Sequence, residues 1–274
     1  MTARGSAATA AVIAVTLLLA GCSPSPEQQQ AASDCNQARD DLSSAIETFQ
    51  NITSDPEVSR ALQAKAEDIG RSGTDAQAAI HSAAEAQFDD SVPECSGDTD
   101  QLNSTAEDLR NRKSSVQQLS GTARLKAGEV GSSYAETFKA RVPAVNGKAI
   151  AAWKYARTLT PSNTNTPGTP AAAFNTAMSS PAVTEAKANL KTAITAWNEA
   201  QQKTGWDVPN SAQTTQLIDS IDNGFKSLVT TYYDHLDWVA ANPFSTADQE
   251  QVIKQGVLDS YLQAPESALP ATTD

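Results

Sequence analysis

Two histidines, His81 and His235, are the first residues to weigh as ligands or bases. His235 lies in Tyr232-Tyr233-Asp234-His235-Leu236-Asp237-Trp238, the stretch richest in donor groups. Asp234 and Asp237 are three apart and share one side of a helix, which would set two carboxylates beside an imidazole. A metal site would need further ligands from another helix, and no spacing marks them. His235 is therefore read as a helix-surface or core-margin residue and a candidate contact, not as a metal ligand. His81, flanked by Ile80 and Ser82, fits no motif. There is no glycine-rich phosphate loop, no serine nucleophile elbow and no His-Glu-x-x-His pattern. The sequence thus predicts no catalytic residue, no metal, no cofactor and no enzyme activity. All four tryptophans, Trp153, Trp197, Trp206 and Trp238, lie after residue 150. Three belong to helical stretches that would bury them, whereas Trp206 sits in a turn between Gly205 and Asp207. There it either caps a bundle or stays exposed, and it is the second candidate contact point.

Cysteine chemistry is more definite. The chain opens with Arg4 as its one early charge, followed by an apolar run from Ala7 to Ala20 broken only by Thr9 and Thr16. About 14 residues is shorter than the roughly 20 a membrane-spanning helix needs, and matches the apolar region of a secretory leader. The run ends at Leu19-Ala20-Gly21-Cys22, which resembles the lipobox of bacterial lipoproteins. That resemblance implies a type II signal peptide over residues 1–21, cleaved between Gly21 and Cys22, with a palmitate-type lipid on the Cys22 thiol. It implies attachment to the cell membrane on its extracytoplasmic face, which is the periplasmic side in a Gram-negative cell. Residues 22–33 are then the lipidated cysteine and a flexible tether, since Ser23 to Gln30 offers proline, serine and glutamine but no apolar side chain. With Cys22 lipidated, Cys35 and Cys95 remain, and an oxidising compartment predicts that they form a disulfide.

Charge narrows the partners. Without its leader the chain loses Arg4 and no acid, leaving 19 basic and 32 acidic side chains and a net charge of −13. Nucleic acid requires clustered Lys and Arg, and anionic lipid headgroups would repel such a body. The lipid on Cys22 must therefore do the anchoring.

Periodicity predicts an all-α fold, with long antiparallel helices in one or two slender bundles after the leader and tether. A first helix runs from about Ser33 to Asn51, with Ala38, Leu42, Ala45, Ile46 and Phe49 on one face. Ser54-Asp55-Pro56-Glu57 starts a second, which breaks or kinks at Gly70 to Gly73 and resumes towards Phe88. This hairpin brings Cys35 and Cys95 to the same end. Leu102, Leu109, Val116, Ala123 and Val130 repeat every seven residues, as in coiled-coil packing. Gly121, Gly128, Gly131 and Pro143 predict bends before a further helix that ends near Leu159. After Pro161, Pro167 and Pro170, one helix starts at Ser180-Pro181. Another spans about Ala212 to Ala241, and Ser245 caps the last.

These boundaries give an N-terminal bundle over 34–159, a proline-rich linker or loop over 160–171, a C-terminal bundle over 172–264 and a disordered tail over 265–274. The start Ser54-Asp55-Pro56-Glu57-Val58 echoes Ser179-Ser180-Pro181-Ala182-Val183, and the three-helix pattern of each half loosely resembles the FIVAR-type helical modules of Gram-positive surface proteins. The function expected is a membrane-anchored, non-enzymatic interaction or scaffold module of the cell envelope, partnered by another envelope protein or the cell wall. The alternative is a small-molecule or metal-binding lipoprotein with a pocket between the later helices, near Trp197, Tyr232 and His235.

Overall fold

A computed structural model describes residues 24–161, 166–241 and 246–262. The leader, Gly21, Cys22, Ser245 and the tail from 263 lie outside them. Among the described residues every regular element is a helix, so the chain is all-α. No helix there is long and apolar enough to cross a membrane.

Helix α1, Pro26–Gln50, begins inside the stretch expected to be a tether. Pro26 occupies the first turn, where its missing N–H is no loss. The Ser25 hydroxyl accepts the Gln28 amide at 3.2 Å. Glu27 to Ala32 are all adequate helix formers. Composition alone hid a capped start, and Ala31 is buried.

The chain folds as two compact units. The first joins the described residues up to Glu47 with Asp89–Val116. Its apolar face is built from Ala38, Leu42 and Ile46 of α1 and Leu102, Leu109 and Val116 of α4, Thr99–Thr158, all buried. Cys35 and Cys95 form the predicted disulfide, with Cα atoms 5.9 Å apart. The irregular stretch from Asp89 is also held by Arg112. Its guanidinium donates to the carbonyl of Asp89 at 2.7 Å and to that of Ser91, and lies 3.4 Å from the Asp89 carboxylate. Lys113 pairs with Asp41 at 2.7 Å. The start of α4 is a capping box: Asp98 accepts the Gln101 amide and the Gln101 side chain accepts the Asp98 amide, both at 3.0 Å.

The second unit holds Thr48–Phe88 and the described residues from Gln117 onward. Helix α2, Pro56–Gln63, starts as the sequence indicated. Asp55 accepts the amides of Glu57 at 3.1 Å and Val58 at 3.4 Å. Burial opposes ionisation of Asp55, but hydrogen bonds from Arg124, Val58 and Glu57 outweigh it and hold the carboxyl below the usual carboxylate range. A break at Ala64-Lys65 follows, which the sequence did not announce. The Gln77 amide group caps it, reaching the carbonyls of Ala61, Leu62 and Ala64 at 2.8, 3.1 and 3.0 Å. Helix α3, Ala66–Ala84, kinks at Gly70, whose φ of 61° suits a residue without a Cβ.

Helix α4 continues through Gly121, Gly128, Gly131 and Pro143 as one element, so the further helix expected before Leu159 is its last part. The seven-residue series from Leu102 to Val130 is buried throughout, so packing overrides the weak propensity of those glycines. Helices α5, Pro170–Met178, and α6, Pro181–Gln201, follow; α5 was not foreseen, and Thr169 caps it by accepting the Ala172 amide at 3.3 Å. Helix α7, Ser211–Asp234, stops before the expected Ala241. There Asp237 accepts the Ala240 amide at 3.1 Å and starts α8, Trp238–Ala241. Helix α9, Ala247–Leu262, is capped by Thr246, which accepts the Gln249 amide at 3.3 Å.

One core is built from residues on both sides of the segment 160–171, read from the sequence as a linker or loop. Phe138, Val145, Ala149 and Leu159 from α4 and its end pack in a single cluster with Val183, Leu190 and Trp197 of α6 and Ile221, Phe225 and Leu228 of α7. The segment from 160 to 171 therefore connects parts of one unit. Its prolines end a helix, but they do not decide whether the apolar faces on either side share a core.

Candidate functional site

Packing of α4, α7 and α9 leaves a concave feature with distinct chemistry. It is a cleft of about 350 Å³ lined by Ala151, Tyr155, Phe225, Ile253, Gly256, Val257, Ser260 and Tyr261. Ala151 and Tyr155 lie four apart on α4. On α9, positions 253, 256, 257 and 260 form one face at helical spacing. Phe225 and Tyr261 are buried, whereas Ile253, Gly256 and Ser260 are exposed at the rim.

The aromatic rings are held in register. Phe225 stacks on Tyr261 with centroids 4.2 Å apart, and Tyr155 meets Phe225 edge-on at 5.5 Å. Tyr261 donates its phenolic hydrogen to one oxygen of Asp222 at 2.5 Å, while the other oxygen pairs with Lys148 at 2.8 Å. Burial pushes the Tyr261 phenol up, and the hydrogen bond to Asp222 and its charge push in the same direction. Burial likewise raises Tyr155, with the Tyr233 phenol beside it adding to the effect. Tyr232 is pushed up to about 12 by burial and by Tyr233. These phenols stay protonated at neutral pH, and the Lys148–Asp222 pair is internally balanced. The cleft can bind and orient, but it presents no nucleophile beside a base.

The residues singled out from the sequence lie elsewhere. His235 is exposed at the end of α7, its ring nitrogen Nδ1 2.8 Å from the Thr231 carbonyl. Trp197 is fully buried and donates its indole N–H to Asn146 at 2.7 Å. Neither Trp197 nor His235 lines this cleft, and Tyr232 does not either. His81 is exposed on α3. Among the described residues no group of three or more His, Cys, Asp or Glu is placed to hold a metal.

Trp206 is neither fully exposed nor fully covered. It sits in a short 3-10 turn, Gly205–Asp207, and is half-buried. Its ring lies against Tyr134, with centroids 5.1 Å apart, and beneath the Arg60 guanidinium at 5.9 Å. A Cβ at Gly131 would come within 2.9 Å of its indole nitrogen, so that glycine makes room for the ring.

The sequence reading missed the cleft because Phe225 and Tyr261 looked like ordinary core. The signal it held was Gly256, a glycine inside the last helix among Ile253, Val257 and Tyr261. No protein-family description, curated protein or solved structure matches this chain.

Proposed function

We propose that the chain is a lipid-anchored, extracytoplasmic helical module of the bacterial cell envelope, acting by interaction and not by catalysis. The allocation of its three cysteines carries this reading. Cys35 and Cys95 are joined, a state suited to an oxidising compartment, which leaves Cys22 for lipid at the end of an apolar leader. A net charge of −13 after the leader supports a body held off anionic headgroups, tied to the membrane through Cys22 and facing an envelope protein or the cell wall. Cross-linking in intact cells tests the interaction: one discrete envelope partner should be recovered with the chain. An activity screen finding turnover abolished by a single side-chain change would contradict it.

A second reading, a small-molecule-binding lipoprotein, is favoured by one observation, the aromatic cleft between α4, α7 and α9. Its volume lies at the lower end of small-ligand sites. The two readings are compatible, because a bound ligand could be the signal that an interaction module transmits.

A further inference from the structure

If the cleft is a binding site, as the second reading above holds, its chemistry narrows what it can take. The charges beside it answer each other. Lys148 pairs with Asp222 at 2.8 Å, and the remaining Asp222 oxygen takes the Tyr261 hydroxyl at 2.5 Å. A charged ligand would lose hydration among these groups and find no unmatched counter-charge. At the rim, Ser260 donates its hydroxyl hydrogen to the Gly256 carbonyl at 2.8 Å. Its oxygen is left as an acceptor, so the matching ligand group is a donor.

Size follows from α9. The lining runs from Ile253 to Ser260, two helical turns or about 10 Å. That length suits a one- or two-ring molecule better than an extended acyl chain. Gly256 fits the same picture. Glycine within a helix is unfavourable by roughly 1 kcal/mol relative to alanine, and a Cβ here would meet nothing within 4 Å. No close packing demands the glycine, and it carries no positive φ. What its missing side chain leaves is room at the cleft.

We propose that the cleft binds a small, uncharged, flat aromatic molecule carrying a single O–H or N–H donor, with the ring beside Tyr155, Phe225 and Tyr261 and the donor on Ser260. Isothermal titration of the purified full chain with 2-naphthol, naphthalene, 2-naphthoate and decanol tests it. Saturable binding of 2-naphthol is expected, with 2-naphthoate and decanol at least tenfold weaker. Ser260→Ala should weaken 2-naphthol severalfold and leave naphthalene unchanged. Gly256→Leu should abolish binding while raising the melting temperature, because the side chain fills the cleft and favours the helix. If 2-naphthoate or decanol binds as tightly as 2-naphthol and is lost in Gly256→Leu, the ligand class is wrong and the cleft reading stands. Binding indifferent to Gly256→Leu, or no binding of any probe, overturns both.

Discussion

Tyr261 and Asp222 are joined by a 2.5 Å hydrogen bond between α9 and α7, and the same tyrosine stacks on Phe225. These two contacts share the hold on helix α9 with the Lys254–Asp234 ion pair at 3.5 Å and with Val257 and Leu258, which pack partly buried against the core, whereas Val252 is 70% exposed and Ile253 43%. Tyr261→Phe keeps the stack and removes the hydrogen bond, which to a charged acceptor contributes about 1.5–3 kcal/mol. Amide exchange in α9 should accelerate in this variant while exchange in α6 stays unchanged. Equal exchange in α9 would show that the hydrogen bond to Asp222 contributes nothing to holding the helix.

The same environment fixes an alkaline response. Tyr155, Tyr232 and Tyr261 all have phenols raised above the ordinary value of 10.0, chiefly by burial, Tyr232 to about 12. A raised folded-state pKa stabilises the fold below pH 10 and loses that contribution as pH rises through the folded value. In a spectrophotometric titration, phenolate absorbance between pH 10 and 12 should lag behind that of the urea-unfolded chain, then rise together with loss of helix. Ionisation of all five tyrosines near pH 10 with the helix intact would contradict the packing described.

Inside the core, Trp197 and Asn146 form a buried polar pair at 2.7 Å. Asn146→Ala strands a buried N–H, at a cost of about 1–3 kcal/mol. Asn146→Ala combined with Trp197→Phe should be less than additive in urea denaturation, since the second change removes the stranded donor. Full additivity would show that the pair is not coupled.

The glycines of α4 separate packing from propensity. Gly121→Ala and Gly128→Ala meet nothing within 4 Å and should each stabilise by roughly 0.5–1 kcal/mol. Gly131→Ala should lose that gain, because its Cβ falls 2.9 Å from the Trp206 indole nitrogen and the ring must move. Tryptophan emission should shift to the red in this variant alone.

How far the sequence could be read depended on whether a signal was local. The heptad from Leu102 to Val130, the Asp55 cap and the Cys35–Cys95 pairing were legible because each rests on spacing or on one residue's chemistry. The break at Ala64-Lys65 was not, since its cap comes from Gln77, 13 residues beyond Ala64. Nor was the shared core across 160–171, because prolines report where a helix stops and not what its neighbours pack against. The cleft was least legible: its aromatic residues look like core until the exposed rim of α9 is placed beside them. His235 lies where the sequence reading put it, at a helix surface, with Asp234 and Asp237 exposed beside it at the helix end.

The fate of Cys22 decides the lipoprotein reading, and intact-mass spectrometry of the chain extracted from its native membranes tests it most directly. The expected species begins at Cys22 and is heavier than the polypeptide by a diacylglyceryl group, with the Cys35–Cys95 bridge closed. Cys22→Ser should remove the lipid and leave the leader uncut. A chain that begins at another residue, or one that begins at Cys22 without added lipid, would contradict the reading.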